Sequence, residues 1–181
     1  GDALTNSELG GSADSTSVKF IATGVTVEMI GNGTAREVLN VSDLSTDDQG
    51  NFLVDLKITA LEDDAYIALT AASSTSANTD NVGVAFYVEN ATTGAQVGSG
   101  TTTATLTKVT GGTVGSNYLR VNRGQNATVR LTGYYDAAST GIYRVQIDSV
   151  GFNATANTAA NDEFATLPAD DFETDSVQVQ Q

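Results

Sequence analysis

The sequence predicts an all-β protein: an antiparallel β-sandwich, Ig-like or jelly-roll in plan, of about ten strands. Three observations carry that expectation. Short segments alternate apolar and polar residues with a period of two. Gly, Asn and Asp separate those segments at the spacing of turns. No segment joins a helical apolar period to capping residues at its ends.

Residues 1–17 are polar and rich in Gly and Ser, and read as a lead-in or linker. Residues 18–181 read as a single sandwich domain. In "SVKFIATGVTVEMIG" the apolar phase runs through Val18, Phe20 and Ala22, then shifts to Val25, Val27 and Met29. A one-residue shift beside Gly24 is the mark of a bulge. In "NFLVDLKITAL", Phe52, Val54, Leu56, Ile58 and Ala60 face inward, and Asn51, Asp55, Lys57 and Thr59 face water. The acidic turn Glu62, Asp63, Asp64 leads into "AYIALT". "NVGVAFYVEN" places Val82, Val84, Phe86 and Val88 on one face. "REVLNV", "ATLTKV", "NYLRV" and the closing "DSVQVQ" are shorter strand candidates.

The most regular stretch is "NATVRLTGYYDAASTGIYRVQIDSV". Ala127, Val129, Leu131, Gly133 and Tyr135 share a dry face, as do Tyr143, Val145 and Ile147. Thr128, Arg130 and Thr132, then Arg144, Gln146 and Asp148, occupy the wet faces. The pattern predicts a half-buried antiparallel hairpin. A phase change after Ile147 predicts a second bulge near Asp148 and Ser149. "ATANTAANDEFATLPADD" has no clear period and reads as a long loop, or a short helix near Ala159. Pro168, the single proline, lies there, outside the strands.

Composition restricts function. The 181 residues include 22 acidic and 8 basic ones, for a net charge of −14. Such a surface repels phosphate backbones and anionic lipid, so nucleic acid and membrane are excluded as expected partners. No run of about 18 apolar residues is present to cross a bilayer as a helix. The chain has no His, Cys or Trp. It therefore lacks the commonest general base, thiol chemistry and the usual zinc ligands. No G-x-S-x-G, H-E-x-x-H or P-loop is present, and no enzyme activity is expected.

The strongest cation candidate is Glu62, Asp63 and Asp64, three carboxylates in one turn that a calcium ion would relieve. "DLSTDDQGN" places Asp43, Ser45, Asp47 and Asn51 at the spacing that opens an EF-hand loop. It has Asp48 where that loop needs Gly and Val54 where it needs Glu, so it reads as a hairpin turn. Glycosylation sequons occur at Asn32, Asn40, Asn90, Asn126 and Asn153. No other cofactor is expected.

"FLVDLKITALEDDAYIAL" and "YLRVNRGQNATVRLTGYYDAASTGIYRVQIDSVGFNAT" resemble secreted β-sandwich domains of prokaryotic cell-surface proteins. The resemblance spans roughly residues 51–155. It implies an extracellular or cell-surface location and a sandwich, with no active site to carry over. The start, "GDALTNSELGGSADSTS", suits a mature end or a linker cut from a longer protein.

The function expected from these features is structural: a filament, pilus-like or surface-lattice subunit, forming a homo-oligomer or polymer by β-strand pairing. The strand over 172–180, with Val177 and Val179 on one face, either adds to a neighbour's edge or completes its own sandwich. The alternative is a glycan-binding or adhesive module of a larger surface protein, with Tyr87, Tyr118 and Tyr134 as platforms for sugar rings.

Overall fold

A computed structural model describes residues 24–38, 48–73, 82–156 and 163–180. All regular structure among them is strand: β1 (Val25–Met29), β2 (Thr34–Val38), β3 (Gln49–Ala60), β4 (Ala65–Ala68), β5 (Ala71–Ser73), β6 (Val84–Asn90) and β7 (Ala95–Gln96). The second half adds β8 (Thr101–Gly111), β9 (Thr113–Val114), β10 (Tyr118–Val121), β11 (Asn126–Asp136), β12 (Gly141–Phe152), β13 (Glu163–Thr166) and β14 (Val177–Val179). The count exceeds the expected ten because the sheet borders are made of short pieces. β5, β7 and β9 have two or three residues each, too few to show a period.

Two main sheets face each other and form the sandwich. The first runs β1-β3-β11-β8, with β2 beside β1 on the border of β3. The second runs β13-β12-β6-β5, with β14 beside β13 on the border of β12 and β7 beside β5 on the border of β6. A small third sheet, β4-β10-β9, stands at one end. Among the described residues all strand pairs are antiparallel except β5 with β6, and the isolated bridge between Gly33 and Thr174 is also parallel.

The inward row of β3 behaves as its alternation requires: Phe52, Val54, Leu56, Ile58 and Ala60 are at most 1% exposed. They meet Val129, Leu131 and Tyr135 from β11 and Phe86, Val145 and Ile147 from the opposite sheet in one apolar cluster. Each large side chain so buried contributes about 1.5–3 kcal/mol. The bulge expected near Asp148 is present, as a register shift between Ile147 and Ser149 where β12 pairs with β6. The one expected beside Gly24 involves residues 18–22, which lie outside the described residues.

The expected hairpin at 126–150 is corrected. β11 and β12 do not pair; β11 lies between β3 and β8, and β12 between β6 and the β13–β14 border. The link through Ala137 to Thr140 crosses from one sheet to the other. A dry face on two consecutive strands fits either arrangement, because in an arch the dry faces simply meet across the core. Two tyrosines close this arch. The rings of Tyr135 and Tyr143 meet edge to face at 5.0 Å. Tyr135 donates to the Ser99 carbonyl at 2.9 Å, and Tyr143 to the Ser139 carbonyl at 2.7 Å. Burial pushes the Tyr135 hydroxyl up to about 12.

Three further expectations are corrected. Asn51 and Gln146, placed on wet faces, are 1% and 2% exposed. Asn51 sits in register between Arg36 on β2 and Tyr134 on β11. Gln146 is covered by the segment after β13, where its Oε1 accepts from the Asp170 amide at 3.4 Å. The region read as loop or helix contains strand β13, while Ala159 lies outside the described residues.

The chain end takes one of the two courses the sequence left open. Residues 163–179 run antiparallel along β12, with β13 opposite residues 149–152 and β14 opposite 141–143. Between them Ile147 donates to the Phe172 carbonyl at 2.9 Å and Thr174 to the Val145 carbonyl at 3.0 Å. The same segment reaches the other sheet: Asp175 donates to Gly33 at 2.9 Å and Asp48 to Gln180 at 3.0 Å. The tail thus completes its own sandwich and laces the two sheets together along one side. Phe172 is 6% exposed and Val179 fully buried.

Deleting residues 172–181 is therefore expected to unfold the domain or lower its melting temperature sharply. Two buried side chains at about 1.5–3 kcal/mol each, with ladder bonds at about 0.5–1.5 kcal/mol each, are a large share of a stability of about 5–15 kcal/mol. Calorimetry of the truncated chain checks this; an unchanged melt would show that the tail is dispensable.

Candidate functional site

The acidic turn forms part of a pocket of about 270 Å³ at one end of the sandwich. Its lining includes Glu62, Asp63, Asp64 and Glu163 around the ring of Phe152. Glu62 and Asp63 are exposed. Asp64 is committed to protein partners. Its Oδ2 accepts from Arg120 Nε at 3.0 Å and Nη2 at 2.5 Å, and its Oδ1 accepts from the Arg123 amide at 2.9 Å. Those bonds, the Arg123 amide first and then the Arg120 side chain, hold the Asp64 carboxyl below its ordinary range. Arg120 also lies over the Tyr66 ring at 5.8 Å. Among the described residues no three carboxylates converge on a common point as metal ligands. Of the EF-hand-like run, Asn51 lies inside β3, and Asp43, Ser45 and Asp47 lie outside the described residues.

The sequon asparagines fall in different surroundings. Asn32 and Asn126 are exposed. Asn90 accepts from the amides of Thr92 and Thr93 through its side chain and caps the turn into β7. Asn153 is 3% exposed and bridges to Tyr66. Asn40 lies outside the described residues.

The three candidate sugar platforms also separate. Tyr87 is half-buried, and burial, reinforced by Glu89, Asp148 and Asp170, raises its hydroxyl pKa. Tyr118 packs edge to face on Tyr66 at 5.3 Å, and its ring lies over Gly115, close enough to crowd any Cβ there. Tyr134, 38% exposed on the outer face of β11, is the one with an open surface. A charged cluster lies on the outer face of the second sheet, where Arg144 bonds to the carboxylates of Glu89 and Glu173. Its placement under the tail makes it part of the lacing.

The feature that motif reading missed is a border. Three of the four borders of the two main sheets are split into two short strands, β1 with β2, β13 with β14, and β5 with β7. The fourth is β8, which runs 11 residues without a break. It pairs with β11 on one side. Among the described residues no strand pairs with its other side, although β5 of the other sheet comes within 8 Å of it. Thr101, Thr103, Thr105 and Thr107 are exposed, while Leu106 points into the core at 5%. Lys108 and a bulge opposite Thr128 and Val129 guard only its far end.

Charge sets the same border apart. No Asp or Glu occurs between Glu89 and Asp136, although the chain has 22 acidic residues. Lys108, Arg120, Arg123 and Arg130, half of the 8 basic residues, fall in that interval. Residues 90–135, which include β8, β9, β10 and β11 as far as Tyr135, are therefore the acid-free part of a chain whose net charge is −14, and Asp136, the last residue of β11, lies opposite Thr101. This segregation was readable in the sequence as spacing between acids, but no motif marks it.

No protein-family model matches this chain, and no curated protein or solved structure is significantly similar to it.

Asp64 supplies a pH test. Its folded pKa lies below the unfolded value, so its contribution is present above the ordinary Asp range and is lost as pH falls through the folded pKa. Asp64→Asn is expected to flatten the fall of melting temperature with pH below about 4. An acid limb identical to that of the wild type would show that the arginine contacts contribute nothing to stability.

Proposed function

We propose that this chain is a structural subunit of an extracellular or cell-surface assembly, a filament, pilus-like fibre or surface lattice, joined through sheet edges. The observation that carries the reading is β8, an uninterrupted and acid-free border on a sandwich whose other borders are broken. Unpaired edge groups are a hazard unless something covers or guards them. In a chain of net charge −14, the strip without acids is where another macromolecule approaches at least electrostatic cost. The Thr-rich outer row suits strand pairing, since β-branched residues fit a pleated surface. Sedimentation velocity and negative-stain microscopy over a range of concentrations test the reading. Concentration-dependent oligomers are expected; a monomer at every concentration would contradict it.

A second reading, an adhesive module that binds glycan, is favoured by Tyr134 alone, which is exposed beside the threonines of β8. On this reading Tyr134→Ala abolishes binding on a glycan array without changing the melt. Equal binding by the variant would remove it.

A further inference from the structure

The geometry points to a specific contact: two copies of the chain pair through β8, antiparallel across a two-fold axis at Ala104. The inference rests on the proposed assembly and names its partner. Residues 101–107 read T-T-T-A-T-L-T, nearly the same in both directions about Ala104. An antiparallel pairing centred there sets Thr101 opposite Thr107 of the second copy, Thr103 opposite Thr105, and Ala104 opposite itself. The exposed threonine rows of both copies then share one face, where cross-strand Thr pairs hydrogen-bond. On the other face Leu106 meets Thr102 at the margin of each core. Like meets like, which is the requirement of an isologous interface.

Charge separates this occupant from others. The window contains no ionisable side chain, and Lys108 lies beyond it. Self-pairing there brings together two strands that carry no acid of their own. The borders around β2 and β13 carry Glu37, Glu163 and Glu173, so two copies meeting there would oppose carboxylates. The pairing extends the first sheet across the axis into one continuous sheet over both copies. A two-fold contact closes on itself, so it yields a dimer, and growth into a lattice uses a separate surface.

The native chain has no Cys, so single thiols report the register without background. Under mild oxidation Ala104→Cys is expected to form a disulfide-linked dimer, because residues opposed at the axis have Cα atoms about 4.5–5.5 Å apart. Thr101→Cys is expected not to link, since its counterpart lies about 20 Å away along the strands. Thr103→Lys with Thr105→Lys places like charges across the axis on exposed positions. It is expected to raise the dimer dissociation constant about a hundredfold with the strand signal in circular dichroism unchanged. If the wild type assembles but Ala104→Cys does not link, the β8 contact is overturned while the assembly reading stands. The same holds if the double-lysine variant assembles as well as or better than the wild type, the outcome expected when β8 docks on an acidic border instead. A wild type that stays monomeric overturns both. Should the lysine variant fail to fold, the cysteine pair decides alone.

Discussion

The packing of β3 and β11 on β6 and β12 is the contact on which the rest of the structure depends. Each of these strands has one apolar face, and the sandwich exists because those faces meet. The arch from β11 to β12 follows from it. Two long consecutive strands with dry faces bury more by facing each other through the core than by lying side by side at its margin. Tyr135 and Tyr143 close that crossing because their rings fill its corner while their hydroxyls find carbonyls.

Once the core is set, the borders decide what the molecule can do. On one side the tail runs along β12 and bonds back to Gly33 and Asp48 on the first sheet, so main-chain groups of both sheets are satisfied there by the chain itself. The buried polar residues Gln146, Glu89 and Thr174 belong to this seam, where Thr174 accepts from the Val145 amide at 3.0 Å. The opposite side ends in β8, long and without acidic residues. The asymmetry is electrostatic as well as topological, since the tail that laces one side carries Glu163, Asp170, Asp171, Glu173 and Asp175.

How much of this was legible in the sequence depended on the length of the pattern. β3 shows its period over 12 residues, and its inward row was readable without error. The bulge at Ile147 to Ser149 was readable because a phase change inside a long run has few other causes. β5, β7 and β9 were not, because two or three residues hold no period and form strands only against a long neighbour. Alternation also says which face is dry but not which sheet a strand joins, hence the arch mistaken for a hairpin. Asn51 and Gln146 were misplaced for a related reason, that what surrounds them is tertiary: Asn51 lies between Arg36 and Tyr134 in register, and the segment after β13 crosses Gln146. Of the candidate site, the acids Glu62, Asp63 and Asp64 were found as a cluster, but the capture of Asp64 by Arg120 and Arg123, some 60 residues on, had no local sign.

That β8 is a long open edge, while the other borders are broken into short strands, is measured most directly by amide hydrogen exchange as a function of protein concentration. In an edge strand alternate amides point away from the sheet. In dilute solution alternate amides of residues 101–107 are expected to exchange freely while those of β3, β11 and β12 are protected, and the free set is expected to become protected as concentration rises. Protection of all the β8 amides at every dilution would show that the chain covers this edge itself and that β8 is not open.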